Sequence, residues 1–181
     1  MNPLEFLSKF SIQAGENNLK TLEYPREFDN LKMKVSFGMG MAARVPWISF
    51  TAPGISTSNG YYPVYLYYKE QNILILAYGI SETSQYPVNW AKEIQDDNEM
   101  VSEVVPDAAR YGDSYAFKSY IPEVNGRTVT FKDSNGVDVN SEISQNLTEI
   151  LNTYRNTLDL EVRDESSVVS TGLFYMEKQL E

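Results

Sequence analysis

Apolar and polar residues alternate from Leu31 to Phe37. Leu31, Met33, Val35 and Phe37 fall on one face, and Lys32, Lys34 and Ser36 on the other. A period of two predicts a half-buried strand with a basic outer face. Residues 46–50, 62–68 and 73–78 predict three more strands. The last two are joined by Lys69-Glu70-Gln71-Asn72 as a hairpin. Residues 115–120 and 127–131 read as strands as well, with turn signals at Asn125-Gly126 and Asn135-Gly136. The helical period occurs twice. Leu4, Leu7, Phe10 and Ile12 predict a short amphipathic helix over 3–14, closed by Gly15. Ile143, Leu147, Ile150, Leu151, Tyr154 and Leu158 predict a longer one over 141–158, capped by Asn140 or Ser141. Residues 90–105 are acidic and moderately helical, while 82–90 and 107–112 read as loops. The fold class is α+β: a curved, mostly antiparallel sheet flanked by helices in a single domain. That domain covers 1–158, and 159–181 read as a linker or tail.

Composition sharpens the picture mainly by exclusion. The 181 residues include neither cysteine nor histidine. Disulfides, thiolate metal sites, cysteine nucleophiles and histidine-based triads are therefore ruled out. No phosphate-binding G-x-x-x-x-G-K-[ST] run occurs, so the sequence carries no nucleotide-hydrolysis motif of its own. Asp96-Asp97, with Glu93 and Glu99, matches no cation-binding loop and reads as a solvated acidic helix. No cofactor or metal is expected. Apolar runs such as 73–77 are too short to span a bilayer, and the N-terminus lacks a signal-peptide pattern. A cytoplasmic location without membrane contact is expected.

The net charge of −10 is unevenly spread. Residues 1–69 hold seven Lys/Arg and five Asp/Glu, a net of +2, whereas 70–181 hold eight and twenty. A polyanion-binding surface would have to use the first third of the chain. Thirteen tyrosines suit β-structure and also stacking surfaces. Tyr62, Val64, Leu66 and Tyr68 share one face of their strand, and Tyr61, Tyr65 and Tyr67 the other. Two readings are open for them. One is a core plus a half-exposed sheet face. The other is an aromatic-lined pocket for a planar ligand such as a nucleobase, with Trp47 and Tyr111 as further walls.

Several ordered segments carry a more specific signal. They are Lys34-Val35-Ser36-Phe37-Gly38-Met39-Gly40, Val45-Pro46-Trp47-Ile48-Ser49-Phe50, the run 58–69 from Ser58-Asn59-Gly60 through the tyrosines, Leu76-Ala77-Tyr78-Gly79-Ile80-Ser81-Glu82-Thr83, and Arg110-Tyr111-Gly112-Asp113-Ser114-Tyr115. Together they closely resemble the N-terminal DNA-binding domains of McrB proteins, the recognition subunits of McrBC modification-dependent restriction systems. The resemblance implies binding of duplex DNA that carries a modified cytosine of the 5-methylcytosine type, with a purine on its 5′ side. It also implies extrusion of that base into an aromatic pocket. In such systems an AAA+ GTPase follows in the same parent chain and a separate subunit carries the nuclease. The domain itself would be a non-catalytic reader, monomeric in isolation.

The resemblance places Trp47, Tyr62, Leu66 and Tyr111 around the base pocket. Met39 stands where the family can carry an aromatic wedge, and a flexible apolar methionine suits that role. Lys20, Arg26, Lys32, Lys34 and Arg44 are candidates for phosphate contact, with Ser58, Asn59 and Gly60 as uncharged donors. Three other functions compete with this reading. The same fold could read another modified base. The acidic stretch 93–107 could serve as a protein-interaction face, with Glu99 and Glu103 central to it. An enzyme acting on a flipped base would need a pocket carboxylate, for which Asp113 is the nearby candidate.

Overall fold

The computed structural model describes residues 1–83, 89–108 and 110–159. Residues 160–181 of the tail and 84–88 of the 82–90 loop therefore lie outside the described residues. The chain opens with helix α1 (Pro3–Ala14). Asn2 caps it by accepting from the Glu5 amide at 2.9 Å, while the Glu5 carboxylate accepts from the Asn2 amide in return. Gly15 closes it as expected. Phe6 joins Leu7 and Phe10 on the buried face, while Leu4 and Ile12 are only partly buried. The apolar stripe is thus rotated slightly from the one expected.

Seven strands follow: β1 (Glu27–Phe28), β2 (Leu31–Ser36), β3 (Trp47–Thr51), β4 (Tyr61–Tyr68), β5 (Ile73–Ile80), β6 (Tyr115–Asn125) and β7 (Thr128–Lys132). They form one antiparallel sheet in which each strand pairs with its neighbour in sequence. The sheet curls far enough for α1, whose Phe6 and Phe10 pack on Phe28, Phe50, Phe37 and Tyr67, to touch β6 and β7 as well. Phe10 meets Phe37 at 5.2 Å between ring centroids, and Phe6 meets Phe28 at 5.6 Å. The inner face is completed by the C-terminal helix α4 (143–159), which buries Ile143, Leu147, Ile150, Leu151 and Tyr154.

Two elements depart from the expected pattern. The long helix follows a 3₁₀ turn (Asn140–Glu142), and Asn140 does not cap it. Its side chain accepts from the Phe131 amide at 2.7 Å and donates to the Val129 carbonyl at 3.1 Å, so it pins β7. The acidic segment splits into two short helices, α2 (Lys92–Asp97) and α3 (Val101–Val104). Trp90, read as a loop boundary, is 1% exposed. Its ring lies among Tyr61, Tyr78 and Tyr154, and its indole N–H donates to the Gly79 carbonyl at 3.0 Å.

Candidate functional site

The site stands on the outer face of β2–β5. Alternation sends Lys32, Lys34 and Ser36 of β2 outward, and the register sets Ser36 opposite Trp47, Trp47 opposite Leu66, and Tyr62 opposite Gly79. The inward set Tyr61, Tyr65 and Tyr67 packs on Trp90, Phe50 and Phe10 respectively. Every residue of β4 is buried, so the tyrosine strand has no half-exposed face.

Above Tyr62, Val64 and Leu66 opens a cavity of about 390 Å³, within the range of sites that enclose small ligands. Trp47 and Tyr111 stand in its wall, so the structure brings all four residues expected to form a pocket into one cavity. Loops from both ends of the strands complete it. The 38–45 loop supplies Gly38, Met39, Ala43 and Val45, and the 57–58 turn supplies Thr57 and Ser58. Ile80, Glu82, Thr83, Arg110, Tyr111 and Ser114 form the remaining side.

The walls are held by their own polar groups. The Tyr62 hydroxyl donates to the Thr57 carbonyl at 2.8 Å, and the neighbouring Tyr68 hydroxyl donates to the Arg110 carbonyl at 2.7 Å. Burial raises the ionisation of Tyr62 well above the usual phenol range, helped by Tyr111 and Glu82. Burial likewise raises Tyr111, opposed by the Arg110 charge, raised further by Glu82, and lowered by a hydrogen bond from Trp47. Both phenols are therefore neutral donors at neutral pH. Tyr111 adopts a φ of 63°, a left-handed conformation uncommon for a bulky side chain. It is fixed there by Glu82, which accepts the Tyr111 amide proton and pairs with Arg110 at 3.2 Å. The Arg110 guanidinium in turn lies 4.9 Å from the Tyr111 ring centroid. Gly79 is dictated by the cavity floor: a Cβ there would sit 2.7 Å from the Tyr62 carbonyl and from Val64 Cγ1.

The cavity rim carries the remaining candidates. Gly38 and Gly40 have φ of 115° and 72°, and between them Met39 is 96% exposed. Met41 and Leu22, not singled out in the sequence, are 81% and 80% exposed. Nothing in the hydropathy pattern separates such residues from core methionine or leucine. Lys34 reaches over Trp47, with Nζ 5.8 Å from the ring centroid. Lys32, Lys34 and Arg26 line a second groove, with Leu22 at its edge. Lys20 is also exposed. Arg44 is exposed but tied to Glu70 by two contacts of 3.1 and 3.3 Å. Ser58 lines the cavity, whereas Asn59 and Gly60 shape the adjoining turn, with the Gly60 carbonyl accepting from Ser81 at 2.9 Å.

The carboxylate in the cavity wall is Glu82, not Asp113, which is exposed and outside it. Sequence spacing gave no sign of this, because Glu82 is tied to the site by contacts with the Tyr111 amide and the Arg110 side chain, 29 and 28 residues away. Among the described residues, no group of three or more acidic side chains is arranged to hold a metal ion. No helix among them is long and apolar enough to cross a membrane.

A curled antiparallel sheet with an aromatic cavity on its outer face, an apolar tip at the rim and a basic strand beside it defines an α+β binding domain. The chain belongs to the family of MrcB-like N-terminal domains, whose model matches residues 9–159. It is also similar to the type IV methyl-directed restriction enzyme EcoKMcrB subunit of Escherichia coli (strain K12). The two are 39% identical over 117 residues, which is 61% of this chain and 25% of that protein. The chain thus spans about a quarter of the length of this curated relative.

Proposed function

We propose that this domain binds duplex DNA containing a modified cytosine, of the 5-methylcytosine type with a purine on its 5′ side, and rotates that base into the cavity. It would act as the targeting module of a modification-dependent restriction system. A GTPase domain in the parent chain and a separate nuclease subunit would perform the later steps. The observation that carries this reading is the cavity formed by Trp47, Tyr62, Leu66 and Tyr111 beside the solvent-exposed Met39 tip. Extruding a base costs a few kcal/mol of stacking and pairing. Insertion of Met39 into the vacated gap and stacking of the base against the aromatic walls offset that cost. Burial of one added methyl contributes only about 1 kcal/mol, so cavity shape and polar contacts must supply further selectivity. Lys34 reaches over Trp47 in the cavity wall, and Lys32 and Arg26 line the neighbouring groove with it; with the exposed Lys20 they suit phosphate contacts.

The test is a fluorescence-anisotropy titration of one short duplex, unmodified or with a single 5-methylcytosine after a purine. Tighter binding of the methylated duplex is expected. A 2-aminopurine opposite the target base should brighten on binding if its partner leaves the stack. Equal affinity for both duplexes, with no 2-aminopurine change, would overturn the assignment to methylcytosine. A panel of other modified bases would then test the same cavity.

A further inference from the structure

A methylcytosine reader faces a problem that its methyl contact cannot solve. Thymine carries the same methyl on the same ring position. The two bases differ on the opposite edge: cytosine presents an amino donor at N4 and an acceptor at N3, whereas thymine presents an acceptor at O4 and a donor at N3. The cavity therefore needs groups whose hydrogen-bonding sense is fixed.

Most polar groups in the wall do not meet that need. The Tyr62 hydroxyl is committed to the Thr57 carbonyl. Serine and threonine hydroxyls can turn to donate or accept and so tolerate either base. Among the described lining residues, two are charged, Glu82 and Arg110. A carboxylate only accepts and a guanidinium only donates. They are paired at 3.2 Å, which fixes one against the other. Glu82 uses one oxygen on Arg110 and the other on the Tyr111 amide, leaving further lone pairs on both. Arg110 uses Nε on Glu82, leaving its terminal nitrogens free to donate to another group.

We propose that Glu82 and Arg110 read the Watson–Crick edge of the base held in the cavity, and that they exclude thymine. Glu82 accepts from the N4 amino group, and Arg110 donates to N3 and O2. The pair presents an acceptor followed by donors, the same order as the guanine edge that the cytosine leaves behind. Thymine would set O4 against the carboxylate and its N3–H against the guanidinium. This inference rests on the base-extrusion reading above and specifies its selectivity.

The experiment compares three duplexes, each with guanine opposite the target position: cytosine, 5-methylcytosine and thymine. Each is titrated against the wild type and Glu82→Gln. The wild type is expected to bind the methylcytosine duplex more tightly than the thymine duplex. Glu82→Gln, whose amide can donate as well as accept, should reduce that ratio on the order of tenfold. The lower cost of extruding thymine from a mismatch enters the wild-type and variant ratios alike, and the altered net charge enters both affinities of the variant alike, so the change in the ratio isolates the contact. An unchanged ratio, with both affinities weakened together, would mean that Glu82 only holds Tyr111 in place, and would overturn the proposal. A wild-type ratio of methylcytosine to thymine affinity no larger than that of Glu82→Gln would also overturn it. Failure of the wild type to separate methylcytosine from cytosine would instead remove the underlying reading.

A second measurement needs no variant. The wild type should bind 5-methylpyrimidin-2-one, which keeps the methyl, N3 and O2 but lacks the amino group, about tenfold more weakly than 5-methylcytosine. That base pairs less well with guanine and is easier to extrude, so weaker binding in spite of the cheaper extrusion assigns the loss to the missing amino contact.

Discussion

Met39, Tyr65 and Gly79 show how differently single residues serve this molecule. Met39 makes almost no contribution to packing, so Met39→Ala should leave the unfolding free energy within about 0.5 kcal/mol of wild type. If it fills the gap left by the extruded base, the same change should weaken methylated-duplex binding about tenfold, by analogy with the loss of a stacking partner. Thermal melts and anisotropy titrations separate the two effects. Tyr65 is fully buried, and its hydroxyl finds no hydrogen-bond partner among the described residues. A buried, unsatisfied hydroxyl is destabilising, so Tyr65→Phe should raise the urea midpoint, corresponding to about 1 kcal/mol, without altering DNA affinity. Gly79→Ala forces a methyl against the Tyr62 carbonyl and Val64. It should cost about 1–3 kcal/mol and distort the cavity floor. A Gly79→Ala variant as stable as wild type would show that this floor yields.

Strand β2 joins the fold to the proposed interface. Its inward residues are buried and its outward lysines stand in solvent, as the alternation predicted. Replacing Lys32 and Lys34 with glutamine should weaken modified and unmodified duplexes equally. The slope of log affinity against log salt should fall by ~0.9 for each phosphate contact removed. Arg44→Gln should do less, because Arg44 is already paired with Glu70. A change in methyl preference in the lysine variant would assign β2 to base reading instead.

The same scale shows what the sequence reveals. Strands β2 to β5 and helix α4 are legible because each carries a local signal: alternation in β2, apolar and aromatic runs in β3 to β5, and helical spacing in α4. Trp90 is not, because its burial comes from Tyr61, Tyr78 and Tyr154 on three other elements. Nor was the full length of β6, which continues through Pro122. Phe131 opposite it directs its amide to Asn140, so this strand pair asks no hydrogen bond of the proline nitrogen. In the site, Trp47, Tyr62, Leu66 and Tyr111 were accessible through family resemblance. Glu82 and Arg110 were not, because their significance lies in a contact between distant segments.

For the molecule as a whole, titration behaviour follows from which residues are absent and which are buried. With no histidine, no imidazole couples folding to pH near neutrality. Burial raises Tyr78 and Tyr120 from about 10 to about 12. Below pH 10 both folded and unfolded chains keep these protons. Between 10 and 12 the unfolded chain releases them while the folded chain holds them, so stability falls as pH rises. Urea midpoints should be nearly flat from pH 6 to 8 and should drop steeply above pH 10. A flat profile to pH 11.5 would show that these phenols ionise as readily in the folded state.

The strictly sequential strand order also bears on synthesis. Each new strand of the meander finds its partner in the segment made just before it, which favours rapid assembly. Among the described residues, all that line the cavity lie between 36 and 114, ahead of α4. The recognition face can therefore take shape while later segments are still inside the ribosome, and α4 then locks the inner layer. Ribosome-bound chains arrested after β7, and again after α4, should differ in protease resistance, with the larger gain at the second arrest. The hand that would grip DNA is formed first, and the wrist sets last.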